Sequence, residues 1–190
     1  MKHENKEGIP ANDGGMPARL SEDALTAEQY HAIVKENGHD LRHVPEGMKT
    51  PEMCRTAFFS TQDLGFDHCG ILQYIPYPEV CLEALKDSEG HVDMTDLARM
   101  LRPEVIDKEI AEFLVGHEGC CLSRIPVHLQ TEELALQAVG VSGNLALAYT
   151  TVREDLKTEK VYLAGMGEGC FQSYLHIPEQ KRTPEICLVA

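Results

Sequence analysis

The amino-acid sequence predicts an all-α fold in which about six short helical hairpins stack as an α-solenoid, with a repeat of 24–30 residues. Three observations predict this fold. A phrase that combines Pro-Glu with a nearby cysteine occurs at residues 50–54, 77–81 and 183–187. Weaker copies of the start of this phrase fall between these sites at a similar spacing. A second apolar element, which ends in proline, follows several of the copies.

The first element of each unit begins at an anchor residue, directly before the Pro-Glu pair or its equivalent. The three strongest copies read Thr50-Pro51-Glu52-Met53-Cys54, Tyr77-Pro78-Glu79-Val80-Cys81 and Thr183-Pro184-Glu185-Ile186-Cys187. The full set of anchors is Thr26, Thr50, Tyr77, Asp107, Thr131, Thr158 and Thr183. Successive anchors lie 24, 27, 30, 24, 27 and 25 residues apart, and a near-constant period in this range is typical of stacked repeats.

Each anchor predicts the start of an α-helix. Threonine or aspartate is a favourable N-cap because its side-chain oxygen accepts a hydrogen bond from an otherwise unpaired N–H group. Proline suits the first helical position, and the glutamate after it lies at the positive end of the helix dipole. Apolar residues then recur three to four positions apart, as in Val80, Ala84 and Leu85, which predicts one buried stripe.

The second element predicts a short second helix. It reads Leu41-x-x-Val44-Pro45, Leu72-x-x-Ile75-Pro76, Leu122-x-x-Ile125-Pro126 and Tyr174-x-x-Ile177-Pro178, and the third unit matches it only loosely. We expect mid-unit glycines to end the first helix, and these are Gly38, Gly90, Gly119 and Gly143. The proline then ends the second helix. One hairpin cannot bury its own apolar face, so neighbouring units must stack, in a right-handed or irregular array.

The chain divides into a leader and a repeat domain. Residues 1–21 are rich in Gly, Pro, Asn and charged residues, which predicts a disordered leader. The leader has no apolar segment of the Sec type. It is either a frayed tail or cloning remnant, or an address that a specialised secretion machine recognises. Residues 22–190 form the predicted helical-repeat domain.

The charge of the chain restricts its partners. The formal net charge is −14 at pH 7, which disfavours nucleic acids and anionic membranes because both are bound through Lys and Arg. No run of 18 apolar residues occurs, so no membrane span is predicted. A protein partner with a basic surface is favoured. DNA mimicry would have the same sign of charge, but the acids concentrate at predicted helix starts such as Glu52, Glu79 and Glu133.

Seven cysteines in a chain without a Sec signal predict reduced thiols in the cytosol. Cys54, Cys81 and Cys187 each lie four residues after an anchor, where other units have Tyr or Ala. We therefore expect a packing slot in which cysteine acts as a small apolar residue. A charge introduced at Cys81 should unfold the chain. Glu46, in a predicted exposed loop, should be replaceable at little cost.

The remaining cysteines lie in or just before the second helix, and they are Cys69, Cys120, Cys121 and Cys170. Packing against the neighbouring unit is one interpretation. A nucleophile pair is another, and His68-Cys69 is the only candidate adjacent in sequence. The sequence assigns no catalytic residue, and the binding residues are unknown at this stage.

A metal site is a further alternative for two of these cysteines. Its ligands would be His117, Cys120, Cys121 and His128, because His-x-x-Cys places two ligands on one helical face. Adjacent cysteines diverge on a helix, however, and no Cys-x-x-Cys pair occurs. We therefore expect neither a metal nor a cofactor.

Several phrases resemble the DUF4116-type repeat. They are Thr-Pro-Glu-Met-Cys at 50–54, Tyr-Pro-Glu-Val-Cys-Leu-Glu-Ala-Leu at 77–85, Leu-x-x-Val-Pro-Glu-x-x-Lys-Thr at 41–50 and Thr-Pro-Glu-Ile-Cys-Leu-Val-Ala at 183–190. The resemblance covers about residues 25–190, and the fourth and sixth units are degenerate. Such repeats occur in bacteria that live with eukaryotic hosts, secreted effectors included. The resemblance implies a helical array and a role in host interaction, and it supplies no catalytic residues.

The sequence therefore favours an interaction scaffold that binds a protein through one face of the array, with a bacterial effector secreted into a host cell as the implied setting. Two other classes stay open. One is a Cys-dependent hydrolase or transferase that uses Cys69, Cys120 or Cys170. The other is an acidic inhibitor that blocks a basic site on another protein.

Overall fold

The computed structural model describes residues 25–60, 69–141, 152–166, 174–175 and 177–189, and all regular structure in this part of the chain is helical. The predicted all-α class is therefore confirmed. The α-helices are α1 (Ala27–Glu36), α2 (Pro51–Ser60), α3 (Pro78–Asp87), α4 (Met94–Met100), α5 (Lys108–His117), α6 (Glu132–Val141), α7 (Glu159–Gly165) and α8 (Pro184–Val189). The predicted leader, residues 1–21, lies outside the described residues.

All seven predicted helix starts are confirmed, because each anchor directly precedes the first residue of α1, α2, α3, α5, α6, α7 or α8. The local chemistry is as expected. Thr26 forms a reciprocal capping box with Gln29, and Asp107 accepts a hydrogen bond of 2.9 Å from the N–H of Ile110. Tyr77 provides no side-chain cap, and α3 begins instead with a proline in its first turn.

The second element differs from its prediction. Within the described residues the third unit has an α-helix there, namely α4, and residues 174–175 of the sixth unit are also α-helical. The first and fourth units have 3₁₀ helices at Gly38–His43 and Gly119–Arg124, and residues 69–74 are also 3₁₀. In the first and fourth units only eight residues, 37–44 and 118–125, separate the end of the first helix from the proline, and bonds to the third preceding residue suit so short a segment.

Short 3₁₀ turns join several successive units. They are Glu46–Met48, Pro103–Val105, Val127–Leu129, Glu154–Leu156 and Glu179–Lys181. The predicted helix-ending glycines behave in two ways. Gly38 and Gly119 follow an extended residue and begin a 3₁₀ helix, whereas Gly90 turns the chain with a φ of 77°. Gly143 lies outside the described residues.

The buried stripe has the same register in the five units from α2 to α7. Its positions are the third, fourth, seventh and eighth after the anchor. The residues are, in α2, Met53, Cys54, Ala57 and Phe58; in α3, Val80, Cys81, Ala84 and Leu85; in α5, Ile110, Ala111, Leu114 and Val115; in α6, Leu134, Ala135, Ala138 and Val139; and at α7, Val161, Tyr162, Gly165 and Met166. This spacing places one side of each helix against the core.

The first helices of the units contact one another in chain order, as α1 with α2, α2 with α3, α3 with α5, α5 with α6, α6 with α7 and α7 with α8. Polar contacts between units recur at the repeat distance. Nε2 of His31 lies 3.1 Å from Oγ1 of Thr56, and Nε2 of Gln137 donates to the carbonyl oxygen of Glu112. Thr158 Oγ1 donates to Glu132 Oε1 at 2.6 Å. A capping threonine therefore also joins α7 to α6.

The cysteine slot is confirmed for Cys54 and Cys81, whose side chains are both 0% exposed. It is wrong for Cys187, which is exposed. The reason is packing order: each buried slot residue has a helix of the next unit beside it, and α8 contacts α7 but no later helix within residues 25–189. Sγ of Cys187 instead lies 3.6 Å from the hydroxyl oxygen of Tyr174.

Candidate functional site

One exposed edge of the stack carries a glutamate at the second position of nearly every first helix. The residues are Glu28, Glu52, Glu79, Glu109, Glu133 and Glu185, with Lys160 at this position in α7. All seven side chains are exposed. The side chains at this position on successive, contacting helices are together called the acidic edge.

The carboxylates of the acidic edge are stabilised by the helices that carry them. The pKa of Glu133 is lowered by a hydrogen bond to its own backbone N–H and by another to Thr131, and then by the charges of Lys108 and Lys160. A first-turn glutamate also lies at the positive end of the helix dipole. Within the described residues neither Glu79 nor Glu133 forms an ion pair, whereas Glu109 lies 3.8 Å from Nζ of Lys86. The edge therefore keeps most of its negative charge.

Two grooves lie beside this edge, one on each side of α5. The first, groove A, has a volume of about 310 Å³ and lies between α5 and α6. Its floor is apolar and contains the buried side chains of Ala111 and Leu134. The remaining lining residues are Lys108, Glu112, His128, Leu129, Thr131, Glu133 and Gln137.

Groove B has a volume of about 470 Å³ and lies between α3 and α5. Leu82 provides its apolar floor and is only 8% exposed. Its other lining residues are Pro78, Glu79, Glu83, Lys86, Asp107 and Glu109. Both grooves thus combine an apolar floor with carboxylates of the acidic edge, and they occupy equivalent places between successive first helices.

Of the cysteines that the sequence singled out, Cys69, Cys120 and Cys121 are described, and they lie in different surroundings. Cys69 and Cys121 are buried, and burial raises the pKa of both thiols, that of Cys121 to about 12. At neutral pH almost none of Cys121 is therefore thiolate. Cys120 is half-buried, with Sγ 3.3 Å from Oγ1 of Thr95. His68 and Cys170 lie outside the described residues.

The four residues of the metal alternative are not brought together. His117 is engaged by Glu89 and by a backbone carbonyl of its own helix, and Cys121 lies in the core. His128 lines groove A. Among the described residues no group of three or more His, Cys, Asp or Glu side chains is arranged to hold a metal ion.

His117 has an acceptor at each ring nitrogen. Nδ1 lies 2.8 Å from the carbonyl oxygen of Phe113, and Nε2 lies 2.9 Å from Oε1 of Glu89. Only the doubly protonated imidazolium can donate to both. The hydrogen bond to Phe113, followed by that to Glu89, accordingly raises the pKa of His117. This ion pair joins the turn after α3 to the end of α5.

A second polar cluster, around Lys49, was not predicted from the sequence. Lys49 is buried, and its Nζ donates to Oε1 of Glu46 at 3.0 Å and to the carbonyl oxygen of Tyr74 at 2.9 Å. The hydroxyl of Tyr77 donates to the carbonyl oxygen of Lys49 at 2.6 Å. Nη1 of Arg102 also donates to Glu46. Glu46 is exposed, as expected, but it is paired with two cations, Lys49 and Arg102. The recurring Lys-Thr pair at 49–50 and 157–158 was the available signal.

Comparisons with known proteins add no further assignment. No protein-family model matches the chain, and no curated protein or solved structure matches it. The resemblance to DUF4116-type repeats therefore stays a prediction. Of the helices in the described residues, none combines the length and apolar composition that crossing a membrane requires.

Proposed function

We propose that the chain is an α-solenoid of about six helical-hairpin units that serves as a protein–protein interaction scaffold, with the acidic edge as its binding face. The observation that carries this proposal is the ordered contact of the first helices, from α1 to α8. In repeat arrays such stacking presents the same position of every unit along one extended surface. Here that position is an exposed glutamate in six of seven units.

The charge of this face supports a partner with a basic surface. Complementary potentials accelerate encounter and fix the orientation of two proteins. The net charge of −14 acts in the same direction over the whole molecule. The role of a host-directed bacterial effector, folded in a reducing compartment, belongs to the same proposal and rests on the resemblance to DUF4116-type repeats.

Inhibition of a basic site on another protein would use the same face, so the scaffold and inhibitor interpretations differ only in what the partner does when bound. A Cys-dependent enzyme has less support. Of its candidate nucleophiles Cys69, Cys120 and Cys170, Cys69 is buried and its pKa is raised, so this thiol lacks the access and the lowered pKa that a nucleophile requires.

The proposal is tested by affinity capture with two matched variants. The edge variant carries Glu52→Gln, Glu79→Gln and Glu133→Gln. The control variant carries Glu36→Gln, Glu104→Gln and Glu179→Gln, which removes the same charge from exposed acids elsewhere. Partners should be retained by the wild type and the control and lost by the edge variant. Equal capture by all three proteins, with circular dichroism showing equal folding, would refute the acidic edge as the binding face.

A further inference from the structure

We infer that grooves A and B receive an extended segment of a partner protein that carries Lys or Arg at every third residue, with apolar residues between. The inference rests on the proposed function and adds the chemistry and spacing of the partner. It starts from the two apolar-floored grooves on either side of α5, which present the same kind of surface twice.

The floors of the grooves favour small apolar side chains of the partner. Leu82 in groove B is 8% exposed and Leu134 in groove A is 5% exposed, so each groove ends on a packed apolar floor. Groove volumes of about 310 and 470 Å³ accommodate a few side chains of the partner segment. Apolar contact there adds affinity that charge alone does not provide.

The carboxylates of the acidic edge favour Lys or Arg side chains of the partner at a matching interval. Glu79, Glu109 and Glu133 occupy the same position on α3, α5 and α6, which are neighbours in the stack. Packed helices lie about 8–10 Å apart, so the carboxylates recur at about that interval. A polyproline II segment rises about 3.1 Å per residue with three residues per turn, which brings every third side chain to one face about 9 Å apart. The two intervals agree.

Cations already present on this surface are held weakly. Lys86 lies 3.8 Å from Glu109, and Lys108 lies 3.6 Å from Glu112. The side chains of these lysines are 54% and 84% exposed. Exposed pairs of this kind contribute little to stability. Arginine from a partner, which binds a carboxylate through two parallel hydrogen bonds, can therefore displace them.

The test measures binding of a fluorescent peptide in which Arg-Pro-Leu repeats, long enough to place one arginine at each of Glu79, Glu109 and Glu133. A peptide of equal composition with its arginines consecutive is the spacing control. Fluorescence anisotropy at physiological salt should show about fivefold tighter binding of the periodic peptide, as expected from two or three aligned ion pairs.

Variants locate the binding site. Glu109→Gln with Glu133→Gln should weaken binding of the periodic peptide about fivefold, whereas Glu104→Gln with Glu179→Gln should not change it. Gln137→Trp fills groove A without a change of charge and should also weaken binding. Equal binding of both peptides, or no effect of Gln137→Trp on a folded protein, would overturn the inference while leaving the scaffold proposal intact. The capture experiment tests the scaffold proposal separately, and equal capture of partners by the wild type, the edge variant and the control variant would refute it.

Discussion

Nη1 of Arg102 lies 3.0 Å from Oε1 of Glu46, although 56 residues separate the two in sequence. The same carboxylate accepts from the buried Nζ of Lys49. Partial burial raises the pKa of Glu46, but the hydrogen bonds and charges of Lys49 and Arg102 hold it below its usual value. One carboxylate therefore joins the connection after the first unit to the end of the third.

Glu46→Ala should destabilise the protein because it leaves the ammonium group of Lys49 buried with one acceptor fewer. The side chain of Glu46 is 56% exposed, so solvent screens part of the loss, and we expect about 1–2 kcal/mol. Chemical denaturation measures the change. Glu104→Ala, at an exposed acid on a comparable turn, is the control and should change stability by less than about 0.5 kcal/mol. Identical stabilities of the two variants would contradict this.

Cys81→Asp should unfold the chain, or nearly so, because it places a charge in a slot that is 0% exposed. A buried charge without a partner costs about 3–5 kcal/mol or more. Cys187→Asp makes the same chemical change at the corresponding position of α8, where the side chain is exposed, and should be tolerated. Melting curves followed by circular dichroism compare the two. A stable Cys81→Asp protein would show that the slot is not part of the core.

Stability should depend on the ionisation of His117. Its pKa is raised above 6.5 in the folded protein by the hydrogen bonds to Phe113 and Glu89. The contribution of the ion pair is therefore complete below the unfolded value of about 6.5 and is lost as pH rises through the folded value. The difference in unfolding free energy between wild type and His117→Gln should shrink across that range. Glu89→Gln should lower the pKa of His117 in an NMR titration, and an unchanged titration would refute the pairing.

Asp40→Ile should stabilise the protein. Asp40 is 7% exposed and its Oδ1 has no hydrogen-bond partner. The residues that stand in the same register, directly before the buried leucine of the second element, are Ile71 and Cys121, both 0% exposed. Removal of an unsatisfied buried polar atom should gain about 1 kcal/mol. Asp40→Asn keeps the polar group and is the control. Lower stability of the isoleucine variant would show that the carboxylate has a stabilising role.

The reactivity of the cysteine thiols should differ between exposed and buried positions. Iodoacetamide at neutral pH should label Cys187 readily and leave Cys54, Cys81 and Cys121 unmodified, because burial raises the pKa of these three thiols to about 12. Peptide mapping by mass spectrometry assigns each label. Fast labelling of Cys121 in the folded protein would contradict its placement in the core.

Helix starts could be predicted from the sequence because their causes are local. A capping side chain, a proline and a first-turn glutamate act within four residues, and all seven starts followed from them. The type of the second helix could not be predicted from the sequence, since α and 3₁₀ bonding compete closely in so short a segment. The contact between Glu46 and Arg102 joins positions two units apart, and no local pattern specifies it.

The candidate site shows the same division. The sequence showed each glutamate of the acidic edge, and the helix dipole alone explains a glutamate in the first turn of a helix. Only the stacking of α3, α5 and α6 aligns Glu79, Glu109 and Glu133 and opens the grooves between them. The exposure of Cys187 likewise depends on which helices pack beside α8, and the local sequence of α8 does not specify this.

The order in which the helices touch also determines how the molecule comes apart. An array whose elements contact mainly their neighbours behaves like a one-dimensional chain of coupled units, some of which can open before others. Within the described residues α8 packs against α7, and Leu188 on α8 is 87% exposed. Hydrogen exchange should therefore be faster in α8 than in α5, which packs between α3 and α6, so that α8 opens while α5 stays closed.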